Sequence, residues 1–374
     1  MKFECTTLAY YQCLQNSTKA IPIKTNDMFS GVLIIAEQNQ ITMQSTDGSF
    51  SIKCSIAANV YKEGRVMVPG KLMTEIARKL PSGTVTFTMN DNYACHIDCM
   101  QFKSTIMGYY VDDYPIMEDI IQNHAFHFPQ KQIKDMLNKV NFVIPARDAH
   151  HYLTGCFMEI SKNELRFVGL DGYRMALQIY KDDIIMPSNK EMVSAIIPGH
   201  VIREVIQLLS DDNNANNTVT FHLTEKHVMI IIDNTTVLSS LLVGKFMDYR
   251  RILPSQWATQ VKLKKEEIRD SFERASLIAK ESKQNVVKIS YDYNNIIVSA
   301  KSEFGDVSEQ LEGEFKGEKL DIAFNARYIL ELLRYVDNEE ILFSMNSSTN
   351  PCIITSADDD SFVFMVLPVR LREE

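Results

Sequence analysis

Val66-Met67-Val68-Pro69-Gly70-Lys71-Leu72-Met73-Thr74-Glu75-Ile76-Ala77-Arg78-Lys79-Leu80, followed by Thr84-Val85-Thr86-Phe87, occurs three times in different spellings along this 374-residue chain. It returns as Ala195-Ile196-Ile197-Pro198-Gly199-His200-Val201-Ile202-Arg203-Glu204-Val205-Ile206-Gln207-Leu208-Leu209 with Thr218-Val219-Thr220-Phe221. A looser copy reads Ile322-Ala323-Phe324-Asn325-Ala326-Arg327-Tyr328-Ile329-Leu330-Glu331-Leu332-Leu333-Arg334-Tyr335-Val336 with Ile341-Leu342-Phe343-Ser344. Each copy reads as a short apolar strand, a helix with apolar residues three and four apart, and a second strand. Val68 and Ile197 are 129 residues apart, and Ile197 and Phe324 are 127 apart. That period is too long for a solenoid unit and suits a whole domain. Three similar domains are expected, at 1–124, 125–253 and 254–374.

The flanking segments repeat as well. Residues 5–19 read as a helix with Leu8, Tyr11, Cys13 and Leu14 on one face, and strands follow at 31–35 and 41–44 before the turn Asp47-Gly48. In the second unit, Pro129-Gln130 opens a helix whose apolar stripe is Ile133, Met136, Leu137 and Val140. Strands at 152–160 and 164–169 then lead to Asp171-Gly172-Tyr173-Arg174. The third unit opens with a charged helix over 264–283, with Ile268, Phe272, Ala275 and Ile278 inward. Helices and strands fall in blocks rather than alternating, which predicts an α+β fold with antiparallel sheets. The polar run 211–217 is expected to be a surface loop.

Hydrophobic content of 45% and charged content of 23% are ordinary for a globular chain, and no apolar run reaches membrane-spanning length. Met1-Lys2-Phe3-Glu4-Cys5 carries no apolar signal-peptide core, so a cytoplasmic setting is expected. Seven irregularly spaced cysteines point to reduced thiols. The net charge of -9 argues against nucleic acid until the charges are placed: six helix windows, 5–19, 70–80, 130–148, 199–209, 261–283 and 325–335, carry +8 together, leaving -17 elsewhere. An acidic body with basic helices repels nucleic acid in general and tolerates it on one surface.

Several strings, taken in order on this threefold repeat, resemble the bacterial DNA polymerase III beta subunit family, the sliding clamps. They are Met1-Lys2-Phe3, Leu153-Thr154-Gly155, Asp171-Gly172-Tyr173-Arg174-Met175-Ala176-Leu177, Asp248-Tyr249-Arg250-Arg251 and Leu367-Pro368-Val369-Arg370-Leu371. The resemblance covers essentially the whole chain. It implies three clamp domains of two helices plus antiparallel sheets each, in a ring-forming head-to-tail homodimer with helices lining the pore. The implied function is a DNA sliding clamp that encircles double-stranded DNA without regard to sequence and tethers the replicative polymerase for processive synthesis. Implied partners also include the clamp loader and other proteins with a clamp-binding motif, in the bacterial cytoplasm at the nucleoid and with no membrane.

Carried over position by position, the family's partner-peptide cleft falls on Leu153, Leu170, Gly172, Tyr173, Arg174, Met175, Met247, Arg251, Ile252, Met365, Leu367 and Val369. DNA-facing positions fall on Lys24, Arg147, His151 and Tyr152. The dimer contact falls on Ile106, Leu277 and Ile278. The family usually has Thr, His and Pro where this chain has Leu170, Tyr173 and Met247, and usually ends at the position of Leu371, whereas Arg372-Glu373-Glu374 follow here. These departures bear on the shape of the cleft.

No catalysis, metal or cofactor is expected. Cys95-His96 with Cys99 lie in a strand pattern without a second ligand pair and read as ordinary thiols. His150-His151 have no carboxylate or cysteine constellation, and Asp358-Asp359-Asp360 reads as a solvated turn. No phosphate loop, nucleophile elbow or dinucleotide fingerprint is present. Two rivals remain: an enzyme holding an anionic substrate near Arg174 and Arg251, and a clamp-fold peptide-binding scaffold that does not encircle DNA.

Overall fold

The computed structural model describes residues 1–22, 31–109, 112, 114–117, 124–188, 190–214, 217–254, 256–281, 285–292 and 295–370. The first third of the chain carries β1 (Lys2–Thr6), α1 (Thr7–Ser17), β2 (Gly31–Glu37), β3 (Gln40–Thr46), β4 (Phe50–Ala57), β5 (Asn59–Lys62), β6 (Gly64–Pro69), α2 (Gly70–Lys79), β7 (Thr84–Met89), β8 (Ala94–Cys99) and β9 (Phe102–Met107). The middle third carries β10 (Phe126–Pro129), α3 (Gln130–Asn141), β11 (Gly155–Ser161), β12 (Glu164–Leu170), β13 (Arg174–Lys181), β14 (Met192–Pro198), α4 (Gly199–Leu208), β15 (Thr218–Leu223), β16 (His227–Ile232) and β17 (Thr235–Ser240). The last third carries β18 (Thr259–Lys264), α5 (Lys265–Ala279), β19 (Val286–Asp292), β20 (Asn295–Ser302), β21 (Gly305–Leu311), β22 (Glu314–Gly317), β23 (Leu320–Asn325), α6 (Ala326–Leu333), β24 (Glu340–Met345), β25 (Cys352–Ser356) and β26 (Phe362–Val366). Each third therefore runs strand, helix, strands, helix, three strands, as the repeat predicts.

All strand pairs between named strands are antiparallel, but the sheets cut across the repeats. Their orders are β5-β1-β7-β8-β9, β10-β15-β16-β17-β4-β3-β2-β6, β14-β11-β12-β13-β26-β25-β24-β18-β22 and β21-β20-β19-β23. The middle third gives one half to each long sheet. Packing follows the sheets and yields two compact units, Met1–Lys134 with Val201–Leu241, and Asp135–His200 with Leu242 onward.

Local chemistry explains the helix starts. Thr6 accepts the Ala9 N–H at 3.3 Å to cap α1, and Asn325 accepts the Arg327 N–H at 3.0 Å to cap α6. At the start of α2 a Cβ on Gly70 would sit 2.5 Å from Ile21 Cδ1, so the repeat's glycine there serves close packing. Helix α3 buries the whole predicted stripe of Ile133, Met136, Leu137 and Val140.

Three sequence expectations need correction. Helix α1 buries Tyr10, Cys13 and Leu14 and leaves Leu8 65% exposed, because its inward face is set by packing on β4 and α2. Helix α5 ends at Ala279, which takes the buried place expected of half-buried Ile278. Residues His151–Thr154 form a 3-10 turn, so the strand starts at Gly155. Asp211–Asn214 are loop as expected, with Asp211 paired to Lys134 at 2.6 Å, while residues 215–216 lie outside the described residues.

Candidate partner groove and DNA-facing loop

The groove is built on one turn and one strand pair. Between β12 and β13, Asp171 Oδ1 accepts the N–H groups of Tyr173 and Arg174, both at 3.0 Å. Gly172 sits at φ 84, in the left-handed region where a side chain is strained. Strand β13 then pairs with β26, placing Arg174 opposite Val366 and Met175 opposite Met365. Beyond β26 the chain stays tied down: Leu367 N–H donates to Tyr173 O at 2.9 Å, and Val369 N–H to Ala323 O at 2.8 Å.

Side chains alternate along paired strands, so one face of this joint collects the apolar residues. Leu153, Leu170, Met175 and Met365 form a buried cluster there, with Ile252 and Leu367 half-buried against it. Tyr173 at 62% and Met247 at 43% are exposed. Arg251 is exposed too and pairs with Asp248 at 2.9 Å. Val369 is half-buried beyond the cluster. Arg174 is different, being 5% exposed, with each of its three guanidinium nitrogens bonded internally. Its Nε donates to Asp171 at 2.9 Å, its Nη1 to Glu331 and its Nη2 to Phe142 O at 3.5 Å.

Sequence reasoning missed Phe246, Tyr249 and Trp257, which pack in the same cluster. Phe246 stacks on Phe157 at 4.7 Å and 7°, and Tyr249 OH accepts from Arg166 at 3.2 Å. The string Phe246-Met247-Asp248-Tyr249 carries the signal, since its aromatics sit beside the carried-over Met247.

Three of the four positions expected to face DNA, Arg147, His151 and Tyr152, lie on the approach to Leu153. Arg147 and His151 are exposed, and Tyr152 packs half-buried on the groove cluster. The loop is braced by Asp148 Oδ1, which accepts the His150 N–H at 2.8 Å. A Cβ on Gly244 would lie 3.2 Å from Tyr152 Cβ, so glycine lets the two backbones approach. Lys24 lies outside the described residues. Of the positions expected at a dimer contact, Ile106 on β9 packs half-buried on its core, Leu277 is 65% exposed and Ile278 is half-buried.

Among the described residues no group of three His, Cys, Asp or Glu side chains is placed to hold a metal ion. Cys95 and Cys99 are buried, and burial pushes the Cys95 thiol up to about 11. His96, on the other face of β8, bonds Thr105 at 2.9 Å and Asn90 at 3.0 Å. Among the described residues no helix is long and apolar enough to cross a membrane.

Repeated helix-and-sheet domains whose sheets continue from one repeat into the next, with an apolar cluster at the β13–β26 joint, define a clamp-like α+β fold. Comparison with known proteins makes this specific. Sequence models of the DNA polymerase III beta subunit match the chain throughout, the N-terminal domain at 1–118, the central domain at 127–248 and the C-terminal domain at 250–370. The chain is 26% identical to the beta sliding clamp of Staphylococcus epidermidis over 99% of both chains. It superposes on the Bacillus subtilis DNA polymerase sliding clamp with a TM-score of 0.93 at 26% identity, covering 100% of both. For the DNA polymerase III beta subunit of Thermotoga maritima the TM-score is 0.91 at 26% identity, covering 99% of this chain and 100% of that one. The chain belongs to the DNA polymerase III beta subunit family. It is a DNA sliding clamp, a non-catalytic processivity factor of replication.

Proposed function

We propose that two copies of the chain close head to tail into a ring around duplex DNA, each copy contributing clamp domains at 1–124, 125–253 and 254–374. The observation that carries this is the pattern of sheet joints. The last strand of the middle third, β17, pairs with β4, and the last strand of the last third, β26, pairs with β13. The corresponding strand of the first third is β9, at the edge of its sheet, and the strand corresponding to β4 and β13 in the last third is β21, at the edge of another. An antiparallel β9–β21 pair between two copies repeats the same joint and uses up both edges, which would otherwise invite aggregation. Apolar side chains support it: Phe102 (37% exposed) and Met107 (56%) on β9, and Phe304 (78%) and Leu277 (65%) beside β21 and on α5.

Inside such a ring the DNA contact is weak and independent of sequence. Many helix cations are already paired, among them Lys134 with Asp211, Lys139 with Asp337 and Arg274 with Glu309. Contacts to phosphates then come from positions such as Lys24, Arg147, His151 and Tyr152, suited to sliding rather than to reading bases. The groove from Leu153 to Val369 takes apolar peptide anchors from the replicative polymerase, the clamp loader and other clients, and the ring works at the bacterial nucleoid.

The deciding experiment loads the protein with its loader on nicked circular DNA and on linear DNA. Retention on circles in high salt with run-off from linear ends is expected. Equal release from both by salt would replace the ring with a peptide-binding scaffold. Arg174→Ala, or truncation after Leu367, is expected to weaken peptide binding while sedimentation still reports a dimer. Unchanged affinity in both variants would remove the groove assignment.

A further inference from the structure

At the lip of the groove five planar groups lie one over the next. Tyr173 stacks on Tyr328 of α6 at 6.4 Å and 29°, and the Arg174 guanidinium lies 4.5 Å over the same Tyr328 ring. Arg174 also lies 5.7 Å from the Phe142 ring, and Phe142 stacks on Tyr335 at 4.4 Å and 11°. Two carboxylates balance the cations: Asp171 holds Arg174, and Glu331 takes both Arg174 and Arg327. The ladder is therefore electrically neutral at its centre, the paired and hydrogen-bonded condition a buried arginine requires.

One end of the ladder is free. Tyr173 is 62% exposed and its backbone oxygen holds Leu367 of the groove floor, whereas the Arg174 side chain is 6% exposed with each guanidinium nitrogen bonded internally. An arginine so enclosed cannot reach a ligand without breaking four partners. We propose that Arg174 is a positioning residue, and that with Tyr328 it sets the Tyr173 ring as a fixed aromatic wall against which a client peptide packs. Helix α6 and the groove lip are thereby coupled through stacked rings. The proposal rests on the groove reading above, and adds that affinity depends on residues beneath the wall that touch no ligand.

The test is a double-mutant cycle on the full chain, read as the Kd of a fluorescein-labelled hexapeptide ending in leucine and phenylalanine. Tyr328→Leu is expected to weaken binding about 2- to 10-fold, the range of one aromatic pair, and Tyr328→Phe to leave it unchanged. In a Tyr173→Ala background the Tyr328→Leu effect should vanish, because the ring it positions is gone. Arg174→Lys, which keeps the charge but not the plane, should weaken binding like Tyr328→Leu, with far-ultraviolet circular dichroism and Tm showing the fold retained. An undiminished Tyr328→Leu effect without Tyr173 would reduce the ladder to structural support. Loss on Arg174→Lys with none on Tyr328→Leu would make Arg174 a direct contact and overturn the proposal. No binding by the unmodified protein would instead defeat the groove reading itself, which the variants could not mimic.

Discussion

The joint between β4 and β17 and the joint between β13 and β26 share one backbone design and opposite side-chain chemistry. Each opens on an Asp-Gly turn: Asp47 Oδ1 accepts the N–H groups of Ser49 and Phe50 at 2.8 and 2.7 Å, as Asp171 does for Tyr173 and Arg174. Each closes on the same backbone bond, Ser240 N–H to Ser49 O and Leu367 N–H to Tyr173 O, both 2.9 Å. Yet where the second joint has Leu170, Met175 and Leu367, the first has Thr46, Ser51 and Ser240. Two of those polar side chains pair with each other, Ser51 Oγ donating to Thr46 Oγ1 at 2.7 Å. Buried Gln44 then clasps the chain above by donating to Pro115 O at 2.8 Å and accepting from Met117 N–H at 3.1 Å. The other joint buries Leu170 and Met175 under a rim of half-buried Ile252 and Leu367 and exposed Tyr173 and Met247, apolar surface that the proposed peptide would cover.

The contrast can be broken most forcefully at the apolar joint. Met175→Ala should cost about 2–5 kcal/mol in chemical denaturation and abolish measurable peptide binding, whereas the matched Ser51→Ala should cost about 1 kcal/mol and leave binding intact. Comparable losses of binding in both would show that the two joints are not functionally distinct. Gln44→Leu leaves the Pro115 carbonyl and Met117 N–H unpaired, for a loss of about 1–3 kcal/mol with peptide affinity unchanged. Isothermal calorimetry on the same protein samples would check the second half.

The turns sharpen the comparison from the other side. Gly48 and Gly172 sit at φ 95 and 84 with nothing within 4 Å of a built Cβ, so alanine at either should cost only the left-handed backbone penalty, about 1–2 kcal/mol. Unequal costs would mean the turns are less alike than their hydrogen bonds suggest. The smallest effect is one of pH. Burial raises the Glu331 pKa, but hydrogen bonds from Arg327 and Arg174 outweigh it and hold the carboxyl below its ordinary value of 4.5. A depressed carboxylate stabilises the fold above its unfolded pKa, and the contribution is lost as pH falls through the folded value. Thermal scans should therefore show a loss of Tm in the acid range below 4.5 that Glu331→Gln reduces. An identical acid profile in the variant would remove Glu331 from the account.

Much of the apolar cluster at the β13–β26 joint was legible in the sequence because its residues lie in unbroken strings. Leu170, Met175, Met365 and Leu367 came out together, and the cluster confirms that they share one face. Arg174 was legible as a member of its string but not in its role, since burial and two distant partners, Glu331 and Phe142, decide that. Trp257 and Phe246 were missed because each sits in a loop, where no periodicity marks an inward face. The face of α1 was misjudged for a related reason: Leu8 and Tyr10 are both apolar enough to face inward, and only the neighbouring strand chooses between them.

By itself the sequence determined the threefold repeat, the order of strand and helix within it, and the antiparallel α+β class. Those follow from apolar spacing and turn residues, which act over a few positions along the chain. Only the tertiary structure decided that the middle third splits between two long sheets, so that three repeats pack as two units. Which edge a strand chooses depends on backbone hydrogen bonds between residues far apart, and every strand offers the same N–H and C=O groups to any neighbour. The spelling of a strand sets its faces, and the fold sets its partners.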